Sequence, residues 1–234
     1  MIKIYPKGTL VELKVNTGMN RNGIEIQELS LAFEMIEREG LNLEAIFTHH
    51  ACADELTSMY TRQCDAFLDV KRVSPLGVRF HSCNSAALFR KENFDEDMAR
   101  VGIAAYGCME LPLELSDVVF KPVLSLYAQK ISSRKIKAGE SVGYGASFVS
   151  EKDEVVSNYD FGYGDGFLRC LSNSYKTPEM IKIAGRISMD NSSFLSDKDE
   201  ILIFNDARDV SAQTDTISYE VLTSLKSSLK RQIV

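Results

Sequence analysis

The chain has 234 residues, 44% apolar and 26% charged, with a formal net charge of −6. That length allows one large domain or two modest ones, with enough apolar side chain for a buried core. The acidic balance argues against a nucleic-acid role, which needs a basic excess on the surface that follows the phosphates.

LVELKV (10–15) is a β-rich run that ends in the Gly- and Asn-rich loop NTGMNRNG. Leu29, Ala32, Phe33 and Ile36 then recur at i, i+3, i+4 and i+7, which predicts a helix with Gly40 as its C-cap. LEAIFTHH (43–50) predicts a second strand, and Tyr60, Cys64, Phe67 and Leu68 mark a second helix. VRFHSCNS (78–85) predicts a third strand and MARVGIAAYG (98–107) a fourth. Strand, polar tip, helix is the rhythm of βα units on a parallel sheet, which carries chemistry at the carboxyl ends of its strands. After CMELPLELSDVVFKP (108–122) the rhythm changes. VLSLYAQKIS, SVGYGASF, EVVSNYDF, IKIAGRISM and EILIF are β-rich runs between turn residues, with helical periodicity only near 217–226. The pattern predicts an α/β domain over residues 1–114 and a mostly antiparallel β domain over 115–234.

The five cysteines, Cys52, Cys64, Cys83, Cys108 and Cys170, form no C-x-x-C pair, so free thiols in a reducing compartment are expected. No basic-then-apolar leader and no bilayer-length apolar run is present, which predicts a cytoplasmic chain without a membrane role. The run Lys130, Arg134, Lys135 and Lys137 reads as a solvated face. Two motifs, VGYGASF (142–148) and FGYGDGF (161–167), set a tyrosine between glycines. GYGDG is not G-x-G-x-x-G and no helical pattern follows it, so neither motif is a nucleotide loop. On propensity alone Tyr144 and Tyr163 read as strand aromatics. His49 and His50, neighbours on a strand, point to opposite faces and cannot serve one metal ion together. With His81 they read as satisfied core or loop histidines, and no metal site is expected. Arg100 stands in an otherwise apolar run. A buried guanidinium needs partners, so it faces either a site or an ion pair. Arg21 and Arg186 follow glycine-containing turns and are either anion clamps or surface arginines.

Taken in order, LKVNTGMNRNGI, FTHHACADE, FHSCNSAALFR, ARVGIAAYG, VGYGASF, FGYGDGFLR and GRISMDNSSF resemble the pyridoxal-phosphate-dependent alanine racemases. The resemblance implies the C-terminal half of a (β/α)8 TIM-type barrel followed by the β domain. It implies a head-to-tail homodimer whose sites are each completed by the partner's β domain. The reaction implied is interconversion of L- and D-alanine, supplying D-alanine for cell-wall peptidoglycan. On this resemblance Tyr144 is the catalytic acid/base on one face of the cofactor–substrate plane. A free phenol titrates near ~10 and must be activated to take a proton from Cα. His49 matches the residue that hydrogen-bonds this tyrosine. Arg100 matches the one at the pyridine nitrogen, where a guanidinium keeps that nitrogen unprotonated. Ser85 and Asn84, with the backbones of Gly102 and Ile103, match the phosphate cradle. Arg21 matches a residue that positions the substrate carboxylate, and Lys14 a lysine carbamylated in many relatives. Tyr163, Met189 and Asp190 match residues on the substrate side or at the site entrance.

Two departures shape the expectation. The family's second phosphate-binding tyrosine is replaced at about Ser227. Its cofactor lysine lies in a KANAYGHG-like string, and no such string occurs in these 234 residues. A full barrel takes ~250 residues, so roughly the first four βα units are expected to be absent. Racemisation needs a base on each face, and the lysine is both the second base and the anchor. This polypeptide alone is therefore expected to be inactive and to hold pyridoxal phosphate non-covalently at best. Two open strand edges should make it aggregate or assemble with a partner that covers the open half. The alternative is a catalytically inactive remnant that serves as a dimerisation or pyridoxal-phosphate-binding module.

Overall fold

The computed structural model describes residues 5–91 and 94–233. The chain divides into two compact units, one of Met1–Ala105 with Met109–Phe120, the other of Tyr106–Cys108 with Lys121–Val234.

The first unit runs β1 (Leu10–Lys14), α1 (Leu29–Arg38), β2 (Asn42–Phe47), α2 (Ser58–Val73), β3 (Arg79–His81) and α3 (Ser85–Leu88). The strands are all parallel in the order β1-β2-β3. Val15, Leu29, Ile46, Phe67 and Val70 form the core between sheet and helices. Helix α1 stops at Gly40, which takes φ 68°. The Gly40 N–H reaches Glu37 O at 2.9 Å and the Leu41 N–H reaches Ile36 O at 3.0 Å, closing the last turn as in a Schellman cap. Helix α2 buries Tyr60, Gln63, Phe67 and Val70. That stripe differs from the one expected, because Leu68 faces outward and a polar residue, Gln63, takes a core position.

The fourth expected strand does not form. Residues 98–102 lack regular structure and Ile103–Tyr106 is a 3-10 turn. The physical reason lies in where the N–H groups go. Arg100 N donates to Cys83 O at 2.9 Å, and Gly102 N and Ala104 N donate to the Ser85 hydroxyl at 2.9 and 3.4 Å. These donors close a loop instead of joining a ladder.

The second unit contains β4 (Leu126–Ile136), β5 (Ser141–Val142), β6 (Phe148–Val149), β7 (Glu154–Tyr159), β8 (Ser192–Phe194), β9 (Glu200–Phe204), α4 (Ala207–Ser211) and α5 (Ser218–Ser224). Its main sheet is antiparallel in the order β8-β7-β4-β9, and β5 and β6 form a separate hairpin. Aromatic side chains fill the core: Phe194 meets Tyr159 edge-on at 5.8 Å and stacks on Phe167 at 6.3 Å. The buried phenols keep polar partners, with Tyr175 Oη donating to Ile203 O at 2.6 Å. IKIAGRISM is not a strand. It contributes only isolated bridges, Lys182 to Lys176 and Ile183 to Phe194, and Gly185 at φ 85° turns the chain away. Arg134, Lys135 and Lys137 are exposed, and Lys130 pairs with Asp199 at 2.6 Å. No helix among the described residues is long and apolar enough to cross a membrane.

Candidate functional site

The carboxyl ends of β2 and β3 bring His49 and His81 to Arg100, which lies in the loop after α3. Arg100 Nη1 meets His81 Nδ1 and donates to His81 O at 3.1 Å. Its Nη2 donates to Thr48 O at 2.7 Å and Ser82 O at 3.2 Å, and lies 3.2 Å from His49 Nδ1. A guanidinium only donates, so both imidazoles accept at Nδ1 and carry their proton at Nε2. Arg100 Nε has no acceptor among the described residues. The guanidinium also lies over Phe47, 5.2 Å from the ring centroid, and Phe47 stacks on His81 at 4.9 Å. Among the described residues Arg100 thus stands in a site of hydrogen-bond acceptors and not in an ion pair.

Burial, then the charges of Arg100, Arg21 and Lys14, lower the pKa of His49 below the usual histidine value. His81 is lowered too, first by burial and then by Arg100, against the pull of Glu12. His81 Nε2 lies 3.3 Å from Glu12 Oε2, yet it has no hydrogen-bond partner among the described residues. The contact is close but off the donor's line, so it acts as an electrostatic contact. Lys14 Nζ stands 5.9 Å over the Phe47 ring, and Arg21 is exposed.

His50 turns away from this group. It is buried beside Tyr60, ring centroids 4.7 Å apart, and neither ring nitrogen has a hydrogen-bond partner among the described residues. It is a core histidine, but not the satisfied one expected. Burial pushes its pKa from 6.5 to about 4. The unfolded chain therefore takes up the proton first, and stability present above about pH 6.5 is lost as pH falls toward 4. His50 accounts for up to about 3 kcal/mol of that loss, and His49 and His81 act in the same direction. His50→Phe, which replaces two unpaired buried nitrogens by carbon, is expected to flatten this acid limb and to match or exceed the parent's stability at pH ~7. Urea unfolding of both chains across this pH range checks it.

At the start of α3 the Asn84 side chain accepts from Ala87 N at 2.9 Å. The buried Ser85 hydroxyl accepts from Gly102 N and Ala104 N, which leaves its own hydrogen to give. The N–H of Ile103 has no acceptor among the described residues. Among the described residues no three His, Cys, Asp or Glu side chains converge as a metal site.

In the second unit Tyr144 is not the strand aromatic that propensity predicts. It sits in a 3-10 turn between β5 and β6, with Gly143 at φ 74°, Gly145 at φ 69° and Ala146 at φ 45°. The tight turn leaves the ring 68% exposed. Arg186 is exposed and its guanidinium lies where a side chain at Gly145 would go. Tyr163 and Met189 are neighbours: Tyr163 N donates to Ser188 O at 2.9 Å and Gly164 N to Met189 O at 2.7 Å. A Cβ at Gly162 would stand 2.5 Å from Met189 O, so only glycine lets these two loops approach. Asp190 accepts from Asn191 Nδ2 at 2.7 Å. Ser227 is exposed beyond α5.

Several residues of the first group carry no obvious sequence motif. Thr48 and Ser82 act through main-chain carbonyls, which any residue type supplies. Gln63 is different: a glutamine in an apolar helical stripe is a visible signal.

Residues 5–110 match the family model described as alanine racemase, N-terminal domain, and residues 123–233 that of alanine racemase, C-terminal domain. The alanine racemase of a Nitratiruptor species is 41% identical, over 98% of this chain and 70% of that protein. That of Campylobacter curvus is 40% identical, over 97% and 69%. Among solved structures, alanine racemase from E. faecalis aligns with a TM-score of 0.82 at 28% identity, covering 94% of this chain and 64% of that one. Alanine racemase from Bacillus anthracis with bound L-Ala-P aligns with a TM-score of 0.84 at 26% identity, covering 96% and 65%. The chain thus spans about 70% of the length of its curated relatives and less than two thirds of these solved chains.

Proposed function

This chain belongs to the alanine racemase family, and from that premise we propose that it carries the cofactor-binding and acid/base residues of an enzyme interconverting L- and D-alanine. Its product would be D-alanine for peptidoglycan, made in the cytoplasm. Residues 1–114 are assigned to the C-terminal part of a (β/α)8 barrel and 115–234 to the β domain.

One observation carries the reading. The Arg100 guanidinium has its Nη groups committed to fixed acceptors and one N–H, at Nε, left over. A lone donor that holds its proton suits an aromatic nitrogen as acceptor and gives that nitrogen no proton. The Ser85 hydroxyl and the free N–H of Ile103 form a donor set suited to a phosphate, with Asn84 and Gly102 fixing the two backbones. Pyridoxal phosphate fits both ends. When bound it supplies the electron sink that makes the amino acid's Cα–H acidic.

The chain's residues do the rest. Tyr144 takes or returns the Cα proton. His49, neutral and protonated at Nε2, donates to the tyrosine oxygen and stabilises its phenolate. Arg21 holds the substrate carboxylate, and Lys14 stands at the position of the lysine that many relatives carbamylate. Tyr163, Met189 and Asp190 line the substrate side. The exposure of Tyr144 supports a homodimer in which each β domain lends this ring to its partner's barrel.

With no KANAYGHG-like string, these 234 residues by themselves would bind pyridoxal phosphate non-covalently and not racemise. The test compares the chain alone with the chain joined behind the N-terminal segment of the Nitratiruptor racemase. Alanine racemisation is expected only from the joined protein. A joined protein that binds pyridoxal phosphate but leaves alanine unchanged would favour a non-catalytic binding module instead.

A further inference from the structure

We propose that Gln63 is a positioning residue whose buried amide fixes the main chain that carries His49. Gln63 is fully buried, on the core face of α2. Its Oε1 accepts from Ala51 N at 2.8 Å, and its Nε2 donates to His49 O at 3.1 Å and to Thr17 Oγ1 at 3.2 Å. One side chain therefore grips the peptides on both sides of His50. Residues 49–51 lie beyond the end of β2, and among the described residues no other group hydrogen-bonds their main chain.

The chemistry leaves no freedom in this arrangement. Thr48 Oγ1 gives its only hydrogen to Val15 O at 2.9 Å, so in the 2.7 Å contact between the two hydroxyls Thr17 must be the donor. Thr17 Oγ1 can then only accept from Gln63, which must present its nitrogen to Thr17 and His49 and its oxygen to Ala51. The chain runs one way: Gln63 amide, Thr17 hydroxyl, Thr48 hydroxyl, Val15 carbonyl. It ties the ends of β1 and β2 to α2. The same Thr48 offers its carbonyl to Arg100 at 2.7 Å. An amide, with one acceptor and two donors in one plane, matches this set of partners; a carboxylate or an apolar side chain does not.

The functional meaning of this clamp rests on His49 acting as partner to the acid/base tyrosine, but its test does not. The chain has three histidines, so selective ¹⁵N labelling resolves each imidazole by NMR. His49 is faced by Arg100, Arg21 and Lys14. Gln63→Met keeps the volume and removes the clamp, and it is expected to move the His49 signals and raise its titration toward ordinary histidine. Thr17→Val breaks neighbouring bonds in the same core but leaves 49–51 held. It is expected to lower the melting temperature comparably while leaving the His49 titration in place. A folded Gln63→Met protein with the parent's His49 titration would overturn the proposal. A second measurement needs no variant: Ala51 N–H in the parent should exchange with solvent as slowly as the core amides of α2, and exchange at the rate of an open loop would equally overturn it. Failure of the racemase reading would leave both results untouched and show only as absent racemisation.

Discussion

Replacing Tyr144 by phenylalanine in the joined, racemising protein is expected to lower kcat for alanine by about 10²–10⁴-fold with little change in KM. Phenylalanine keeps the ring and removes only the hydroxyl proposed to move the proton. The fold should not notice, since the ring is 68% exposed in a turn whose conformation is set by glycines at 143 and 145. Surface substitutions of this kind change stability by roughly 0.5 kcal/mol or less. A large loss of rate with an unchanged melting temperature is the signature, read from racemisation kinetics and a thermal scan of the two proteins.

Arg100→Met should act on both the fold and the chemistry. Its guanidinium holds the carbonyls of Thr48, His81 and Ser82 and the Nδ1 atoms of two imidazoles. Methionine fills much of the space but leaves the Thr48 and Ser82 carbonyls and both Nδ1 atoms without a donor, while His81 O keeps the Thr48 N–H at 3.3 Å. Each unsatisfied buried group costs about 1–3 kcal/mol, and partial relaxation brings the expected loss to roughly 3–5 kcal/mol. Lysine should not rescue it, because an ammonium on a flexible stem cannot present the planar fork that reaches the ends of β2 and β3 at once. Urea unfolding of parent, Met and Lys variants measures the difference, and the Lys variant should lie nearer to Met than to the parent.

The parts of this fold legible in the sequence are those with strong local signals. The stripe that begins at Leu29, the glycine cap at position 40 and the β-rich runs at 10–15, 43–50 and 200–204 each appear as a helix, a cap or a strand, although the second strand stops at Phe47, before its two histidines. The failures have physical reasons. MARVGIAAYG has strand composition, yet Cys83 O and the Ser85 hydroxyl, both distant in sequence, capture its N–H groups. IKIAGRISM reads as a strand until Gly185 takes φ 85°, which no propensity scale registers. Tyr60 and Phe67 are inward as their spacing predicts, but tertiary packing buries Gln63 and Val70 where Cys64 and Leu68 read as inward. Of the candidate site, the sequence shows that Arg100 needs partners, and it has them. Its partners are not legible, because main-chain carbonyls leave no mark on residue identity. The same blindness hides the state of His50, whose two nitrogens have no partner among the described residues because of its neighbours rather than its own sequence context.

The most direct test of Tyr144 as the proton-transfer group follows the Cα hydrogen itself. The joined protein, loaded with pyridoxal phosphate, is incubated in D₂O with L-alanine and, separately, with D-alanine, and solvent deuterium entering each is followed by NMR. With Tyr144→Phe, exchange from one enantiomer should fall by at least about 10²-fold while exchange from the other persists, because only one face has lost its base. Equal exchange from both enantiomers, at the parent's rate or uniformly slowed, would contradict it.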